Sequence, residues 1–340
     1  MRSEPMPMRD LLHRPIRDLR ISVTDRCNFR CTYCMPKEIF GDDYRFMPGS
    51  ELLTFDEIAL ITEIFASLGV RKLRLTGGEP LLRSHLPTLI ERLTKIDGIE
   101  DIGLTTNGLL LKQYAESLRN AGLRRVNVSL DALDPQLFGR INGRGIEPSR
   151  IVDSIEYARQ AGLKIKVNMV VEKGLNEQEI LPMAEFFKER GITLCFIEFM
   201  DVGNDNGWSL KWVVTKQEIY QILSTRYELE PLESHYFGEV AQRYRYKDGS
   251  SEIGFITSVS ESFCSTCTRA RLSSEGKLYT CLFASDGFDL RSMLRSGADK
   301  SQLTSAVRSV WEARSDRYSD ERTEQTARTR NKINMSYIGG

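Results

Sequence analysis

The chain has no excess of either charge: Lys plus Arg number 47 and Asp plus Glu number 47 in 340 residues. A balanced field gives no reason to expect nucleic acid or an anionic membrane as a partner, so any anion site must be a local concentration of basic side chains. No apolar run approaches the length that spans a bilayer, and Met1 to Pro15 lack the apolar core of a secretory signal. The expected location is the cytoplasm. Repeats and low-complexity segments are absent too, which excludes a solenoid. Cysteines are few, seven in all. Without a secretory signal they read better as reduced thiols or metal ligands than as a disulfide framework. The length suffices to bury roughly three quarters of the unfolded surface, as one large domain or a large one plus a smaller one.

From about 17 to 200, strand-like and helix-like segments alternate. Strands are expected at 17–23, 71–76, 101–107, 125–131, 164–171 and 192–200. Apolar residues at helical spacing mark helices at 54–68, 85–96, 111–121, 149–161 and 176–189. Thr54 and Ser84 look like helix starts, and Gly69, Gly122, Gly162 and Gly191 like stops. Such alternation predicts a parallel α/β sheet with right-handed crossovers, either open or a closed or partial barrel. Beyond about 225 the pattern changes to antiparallel strands at 236–247 and 252–258, a hairpin over 269–283, helices near 287–296 and 300–314, and a charged, apolar-poor tail. The boundary falls between 205 and 235, giving expected parts 1–225 and 226–340.

Side-chain alternation is legible along the first five strands. Leu19 and Ile21 oppose Arg20 and Ser22, Leu73 and Leu75 oppose Lys72 and Arg74, and Leu104 opposes Thr105. Val126 and Val128 oppose Asn127 and Ser129, and Val167 opposes Lys166 and Asn168. A parallel strand covered on both faces is normally apolar throughout. Here one face is polar and partly basic, which suits a barrel lumen holding a ligand. Arg20, Lys72, Arg74 and Lys166 would then face something polyanionic. The plainer reading, solvated charges on a one-sided sheet, requires four strands to do the same thing independently.

Six cysteines fall into two trios. Cys27, Cys31 and Cys34 form C-x3-C-x2-C after the first strand, and Cys264, Cys267 and Cys281 form C-x2-C-x13-C. Three thiolates cannot complete a structural zinc site, which takes four ligands. They can hold three corners of a [4Fe-4S] cubane and leave its fourth iron open. Buried thiols by chance, or a Cys3His zinc site using His13, His85 or His235, are the alternatives for the first trio, and zinc with His235 for the second. Cys195, between Leu194 and Phe196, reads as a buried apolar residue. The turn Thr76-Gly77-Gly78-Glu79-Pro80 offers close backbone approach to a ligand and a carboxylate for an ammonium group. Arg269 and Arg271 point two guanidinium forks to one side, suited to phosphate or carboxylate.

The C-x3-C-x2-C loop with Tyr33 before its last cysteine, followed by Gly77-Gly78-Glu79-Pro80, resembles the radical S-adenosylmethionine superfamily. Thr24-Asp25-Arg26-Cys27-Asn28-Phe29-Arg30-Cys31, Leu104-Thr105-Thr106-Asn107-Gly108, Val128-Ser129-Leu130-Asp131, the second trio with Arg269 and Arg271, and the terminal Gly339-Gly340 narrow the likeness to the GTP 3′,8-cyclase family, which performs the first step of molybdenum cofactor biosynthesis. The resemblance implies a partial (β/α)6 TIM-like barrel with a C-terminal α+β extension closing its open side. It implies two [4Fe-4S] clusters, on Cys27, Cys31 and Cys34 and on Cys264, Cys267 and Cys281. It also implies S-adenosyl-L-methionine contacts at Tyr33, Gly78, Glu79, Ser129 and Met200. GTP contacts are implied at Arg20, Lys72, Arg74, Thr105, Lys166, Arg269, Ala270 and Arg271, and a catalytic tail at Gly339 and Gly340. By the same resemblance, a 5′-deoxyadenosyl radical abstracts the ribose 3′ hydrogen and C3′ attacks guanine C8. An electron donor such as flavodoxin or ferredoxin, transfer of product to cyclic pyranopterin monophosphate synthase, and a homodimer belong to the same expectation. Relatives can carry arginine where this chain has Cys195. The rival readings are another two-cluster radical enzyme, such as a peptide-modifying one, and a non-catalytic zinc or iron-sulfur protein.

Overall fold

The computed structural model describes residues 8–339; Gly340 and residues 1–7 lie outside the described residues. Twelve strands form one sheet in the order β12-β11-β10-β1-β2-β3-β4-β5-β6-β9-β8-β7. The strands are β1 Asp18–Ser22, β2 Lys72–Thr76, β3 Asp101–Thr106, β4 Arg125–Ser129, β5 Lys164–Val171, β6 Thr193–Glu198, β7 Leu229–Leu232, β8 Gln242–Tyr246, β9 Glu252–Ile256, β10 Arg269–Leu272, β11 Lys277–Tyr279 and β12 Phe288–Asp289. β1 to β6 are parallel and adjacent in chain order, which is a partial (β/α)6 barrel. The C-terminal strands extend both of its edges. β10 pairs in parallel with β1, and β9 in parallel with β6.

The helices between these strands are α1 Phe55–Ser67, α2 Leu86–Leu93, α3 Leu111–Asn120, α4 Pro135–Asn142, α5 Pro148–Gln160, α6 Ile180–Glu189 and α7 Lys216–Ser224. Local chemistry sets several of their starts. Thr54 and Thr215 form capping boxes with Glu57 and Glu218, and Asp134 caps α4 ahead of Pro135. α4 and α7, and the strand β7, were not among the expected elements. Each is short, with 8, 9 and 4 residues respectively. The outward faces of β1 to β5 (Leu19, Ile21, Leu73, Leu75, Val126, Val128, Val167) pack with Ile58, Phe65, Leu89, Ile155 and Phe187 in one core. The polar faces are left to an interior space.

After β12 the chain runs through α8 Leu290–Arg295, α9 Lys300–Glu312 and three short helices, α10 Tyr318–Glu321, α11 Glu324–Thr329 and α12 Met335–Ile338. Composition alone would leave this tail floppy. It is ordered because apolar residues such as Tyr318 and Ile338 are covered, and because Arg322 and Lys332 both pair with buried Asp201. Likewise 236–241 is not part of a strand. It forms a strap before β8, held by the bond from Glu239 N–H to the Tyr236 carbonyl.

Glu198, at the end of β6, fastens the chain where the two sequence patterns meet. Its buried carboxylate accepts from the backbone N–H groups of Lys216, Val259 and Ser260, each at 2.9 Å. Glu198→Ala should leave those three donors without a partner and lower stability by at least about 2 kcal/mol. The thermal unfolding midpoint measures this, and an unchanged midpoint would refute the anchoring role.

Candidate active site

The polar faces of β1 to β5, the cysteine loop after β1 and the segments flanking β10 enclose one cavity of about 600 Å³. Both cysteine trios line it, as do Arg20, Lys72, Arg74, Thr105, Lys166, Arg269 and Arg271. Tyr33, Gly78, Glu79, Ser129 and Met200 line it too. Of the other expected contacts, Ala270 turns its side chain into the core on the opposite face of β10. Gly339 reaches the rim: its carbonyl accepts from Arg271, and a Cβ on it would run into Thr76. Gly340 lies outside the described residues.

Register aims the cations. Arg20 has Arg74 as its partner across β1–β2 and Arg271 across β1–β10. Burial pulls the Arg20 guanidinium well below its usual pKa, and repulsion from Arg271, Arg74 and Arg269 adds to this. Burial is also the leading cause that brings Arg74 and Arg271 down to about 10. By solvent accessibility Arg20 and Arg74 are only partly buried, because they face the cavity. The downward shifts come mainly from burial, with repulsion between neighbouring guanidiniums adding to it, and a bound anion would offset both. Arg125, missed in the sequence, shares the space but is held by Asp101 at 2.5 Å. Among the described residues, Arg20, Arg74, Lys166 and Arg271 have no such ion pair.

The strap from His235 to Ala241 covers part of the cavity, and no motif announced it. Tyr236 lies against Lys72, with the ammonium 2.9 Å from the ring centroid. The Gly238 carbonyl accepts from Arg269 at 3.3 Å. Cys195 shares the inward parity of Thr193 and Ile197 yet is fully covered, beside Lys166 and against Gly254.

At the other end, the two glycines serve a backbone contact. Gly78 N–H donates to the Thr24 carbonyl at 2.8 Å and Glu79 N–H to the Arg26 carbonyl at 2.7 Å. A Cβ on Gly77 would collide with Thr24, and one on Gly78 with Arg26. The turn after β2 therefore braces the loop that leads into Cys27. Glu79 accepts from Leu81 N–H, Thr106 O–H and Asn107 N–H, and burial still raises it to about 7. Tyr33 O–H donates to Asp131 at 2.9 Å, and burial raises Asp131 to about 6.

All seven cysteines are free thiols. Burial pushes Cys27 and Cys34 up to about 12 and Cys31 well above its usual value. In the second trio burial raises Cys281 to about 12. Burial acts on Cys267 as well, but Arg269 and Arg314 outweigh it and bring that thiol to about 6. Among the described residues, no three His, Cys, Asp or Glu side chains form a ready cage for a single ion. Three thiols in each trio match the three cysteine corners of a cubane with an open fourth iron, and fall one short of the four ligands of a closed zinc site. Bound iron would supply the positive charge that turns such buried thiols into thiolates.

Residues 21–187 match the model of the radical SAM superfamily, and 192–320 match that of the molybdenum cofactor synthesis C-terminal family. The GTP 3′,8-cyclase of Staphylococcus aureus strain JH9 is 59% identical over 336 residues, covering 98% of this chain and 99% of that protein, and that of strain Newman matches equally. Among solved structures, Streptococcus suis SuiB bound to S-adenosylmethionine is similar in fold, with TM-score 0.59 and 16% identity over 86% of this chain and 68% of that one.

Gly339→Ala should push the tail off Thr76 and loosen its bond to Arg271, while iron content and melting temperature stay near those of the parent. Product formation from saturating substrate should fall at least about tenfold, as for a lost charge-assisted contact. Turnover equal to the parent would show that the tail has no part in the site.

Proposed function

The chain belongs to the GTP 3′,8-cyclase family of radical S-adenosylmethionine enzymes, and from that premise we propose how its cavity divides the work. The reaction converts GTP to (8S)-3′,8-cyclo-7,8-dihydroguanosine 5′-triphosphate, the first step of molybdenum cofactor biosynthesis. The observation that carries the reading is that one cavity holds both cysteine trios and, between them, a set of arginines with no ion pair among the described residues.

In this reading residues 1–225 hold the first cluster and S-adenosylmethionine, and 226–340 hold the second cluster and the Gly339-Gly340 tail. When bound, the first cluster and S-adenosylmethionine supply a one-electron route to hydrogen abstraction at the ribose 3′ carbon, which then bonds to guanine C8. Arg20, Arg74, Lys166, Arg269 and Arg271 bind the triphosphate and relieve their mutual repulsion as they do so. Lys72 and Thr105 complete that end of the cavity. Tyr33, fixed by Asp131, together with Gly78, Ser129 and Met200, holds S-adenosylmethionine beside the first trio. Glu79 contributes mainly by locking the ends of β2 and β3. Holding both ligands in one enclosed space makes the encounter intramolecular and keeps water from the reacting carbon. Tyr33 and Arg271 line the cavity, and the bond from Arg271 to the Gly339 carbonyl supports a part for the tail beside the triphosphate cations.

No helix among the described residues is long and apolar enough to cross a membrane. The reading places the enzyme in the cytoplasm, where flavodoxin or ferredoxin would donate the electron and cyclic pyranopterin monophosphate synthase would take the product. It also admits a homodimer.

The test is anaerobic incubation with GTP, S-adenosylmethionine and a reductant, followed by detection of the cyclised nucleotide. A brown protein with about eight irons per chain should form it. A colourless protein containing zinc, or one making no product, would refute the reading. Arg20→Ala, Arg74→Ala, Lys166→Ala and Arg271→Ala should each weaken GTP binding some ten- to hundredfold, the range of about 1.5–3 kcal/mol for a charge-assisted contact. S-adenosylmethionine binding should change much less, and equal loss of both ligands in equilibrium dialysis would count against separate subsites.

Cys264→Ser, Cys267→Ser or Cys281→Ser should lose about half of the iron while S-adenosylmethionine still binds and GTP cyclisation stops. Full iron together with normal product would remove the second trio from the mechanism.

A further inference from the structure

We propose that Arg314 is a positioning residue for the second cluster that also sets its reduction potential, an inference that rests on assigning Cys264, Cys267 and Cys281 as cluster ligands. Arg314 follows α9, is 4% exposed and lines the cavity. Its Nη2 donates to Cys267 Sγ at 3.1 Å, and its Nη1 donates to the Cys267 carbonyl at 2.9 Å. The guanidinium is held by Asp10 at 3.3 Å and by Asp316 at 3.4 Å, with the Trp311 ring centroid 4.6 Å away.

A second arginine mirrors this grip. Arg14 Nη1 donates to the Cys264 carbonyl at 2.8 Å, and its Nε is tied to Asp10 at 2.6 Å. Thr280, the neighbour of Cys281, donates to Asp316 at 2.6 Å. Segments from the N-terminus, the end of α9 and the loops flanking β10 and β11 thus close around the trio as one buried ionic network. Only Arg314 within it reaches a ligand sulfur.

Among the described residues the first trio has only a partial counterpart: Arg30 Nη1 donates to the Cys27 carbonyl at 2.8 Å, but no guanidinium donates to a sulfur of that trio. The donors to Cys27 Sγ are neutral and longer, Phe29 N–H at 3.4 Å and Asn107 Nδ2 at 3.9 Å. Hydrogen bonds to ligand sulfurs and nearby positive charge are among the levers that set the potential of an iron-sulfur cluster. A guanidinium on the thiolate favours the reduced form, which carries one more negative charge. The second cluster is therefore easier to reduce than the same cluster without Arg314.

The test uses the full-length chain carrying Cys27→Ser, Cys31→Ser and Cys34→Ser, so that the second cluster alone assembles, with about four irons per chain. Its midpoint potential is measured by titration followed by electron paramagnetic resonance. Arg314→Gln should change the oxidised-to-reduced ratio at fixed potential at least about tenfold, a shift of about 59 mV to more negative values. Arg314→Lys, which keeps the charge, should shift it less. Retained iron with an unmoved midpoint in Arg314→Gln overturns the inference and leaves the cluster assignment standing. A parent without iron overturns both. Where Arg314→Gln loses its iron, the unsubstituted Arg314 chain labelled with guanidino-15N arginine decides. A resolved hyperfine coupling between that nitrogen and the reduced cluster supports the inference, and its absence overturns it.

Discussion

Arg20, Arg74, Arg269 and Arg271 repel one another across a space enclosed by protein, and the architecture exists to keep them there. A flexible surface would let them separate into water. β1 cannot yield, because β2 on one side and β10 on the other fix Arg20 in register with Arg74 and Arg271. The period of two along each strand then sends all three guanidiniums to the same side. The nearby carboxylates offset their repulsion only in part: Asp101 holds Arg125, and Asp18, which accepts the hydroxyl of Thr268 at 2.5 Å, forms no ion pair with them. What remains is a positive interior in a chain of zero net charge. A polyanion entering it gains more than a surface ion pair would, because the cost of gathering the cations has already been met during folding.

The two cysteine trios open onto one cavity, yet Cys267 of the second stands in electrostatic surroundings unlike those of the first trio. Around the first, burial, reinforced by the carboxyl group of Glu79, leaves Cys27 reluctant to ionise, and Arg30 and the donors Phe29 and Asn107 oppose this only in part. Around the second, Arg269 and Arg314 make Cys267 a thiolate near neutral pH before any metal is considered. Clusters of the same type would thus differ in charge environment, and the difference comes from β10, α9 and the N-terminal segment and not from the cysteines themselves.

Much of this was readable before folding. The six barrel strands follow the expected segments to within two residues at each end, because alternation was strong in each. Arg20, Arg74 and Lys166 could be placed inside from parity alone. Arg125 stands at the very start of β4, where no alternation precedes it, and its pairing with Asp101 comes from the neighbouring strand. Tyr236 escaped because a strap has no period, and its segment was read as the start of β8. Arg14 and Arg314 carried no local signal at all: each lies far along the chain from the cysteine carbonyl it grips, at separations of 250 and 47 residues. Glycine was read correctly as a marker of close approach after β2, but the partner is the Thr24–Arg26 backbone.

Cys195 shows how neighbouring residues settle what a parity argument leaves ambiguous. It points inward, yet it is fully covered, because β9 places Gly254 directly opposite and Ala241 packs over that glycine. The ideal Cβ position at Gly254 is only 3.1 Å from Cys195 Sγ. A longer side chain at 195 would therefore have to turn toward Lys166 and into the cavity, where a cation would join Arg74 and raise the repulsion further. Cysteine fills the gap without charge, leaving Lys166 as the cation that this side of the lumen presents. The polyanion-binding charge is accordingly displaced toward β1, β2 and β10, the side on which the tail carbonyl of Gly339 meets Arg271.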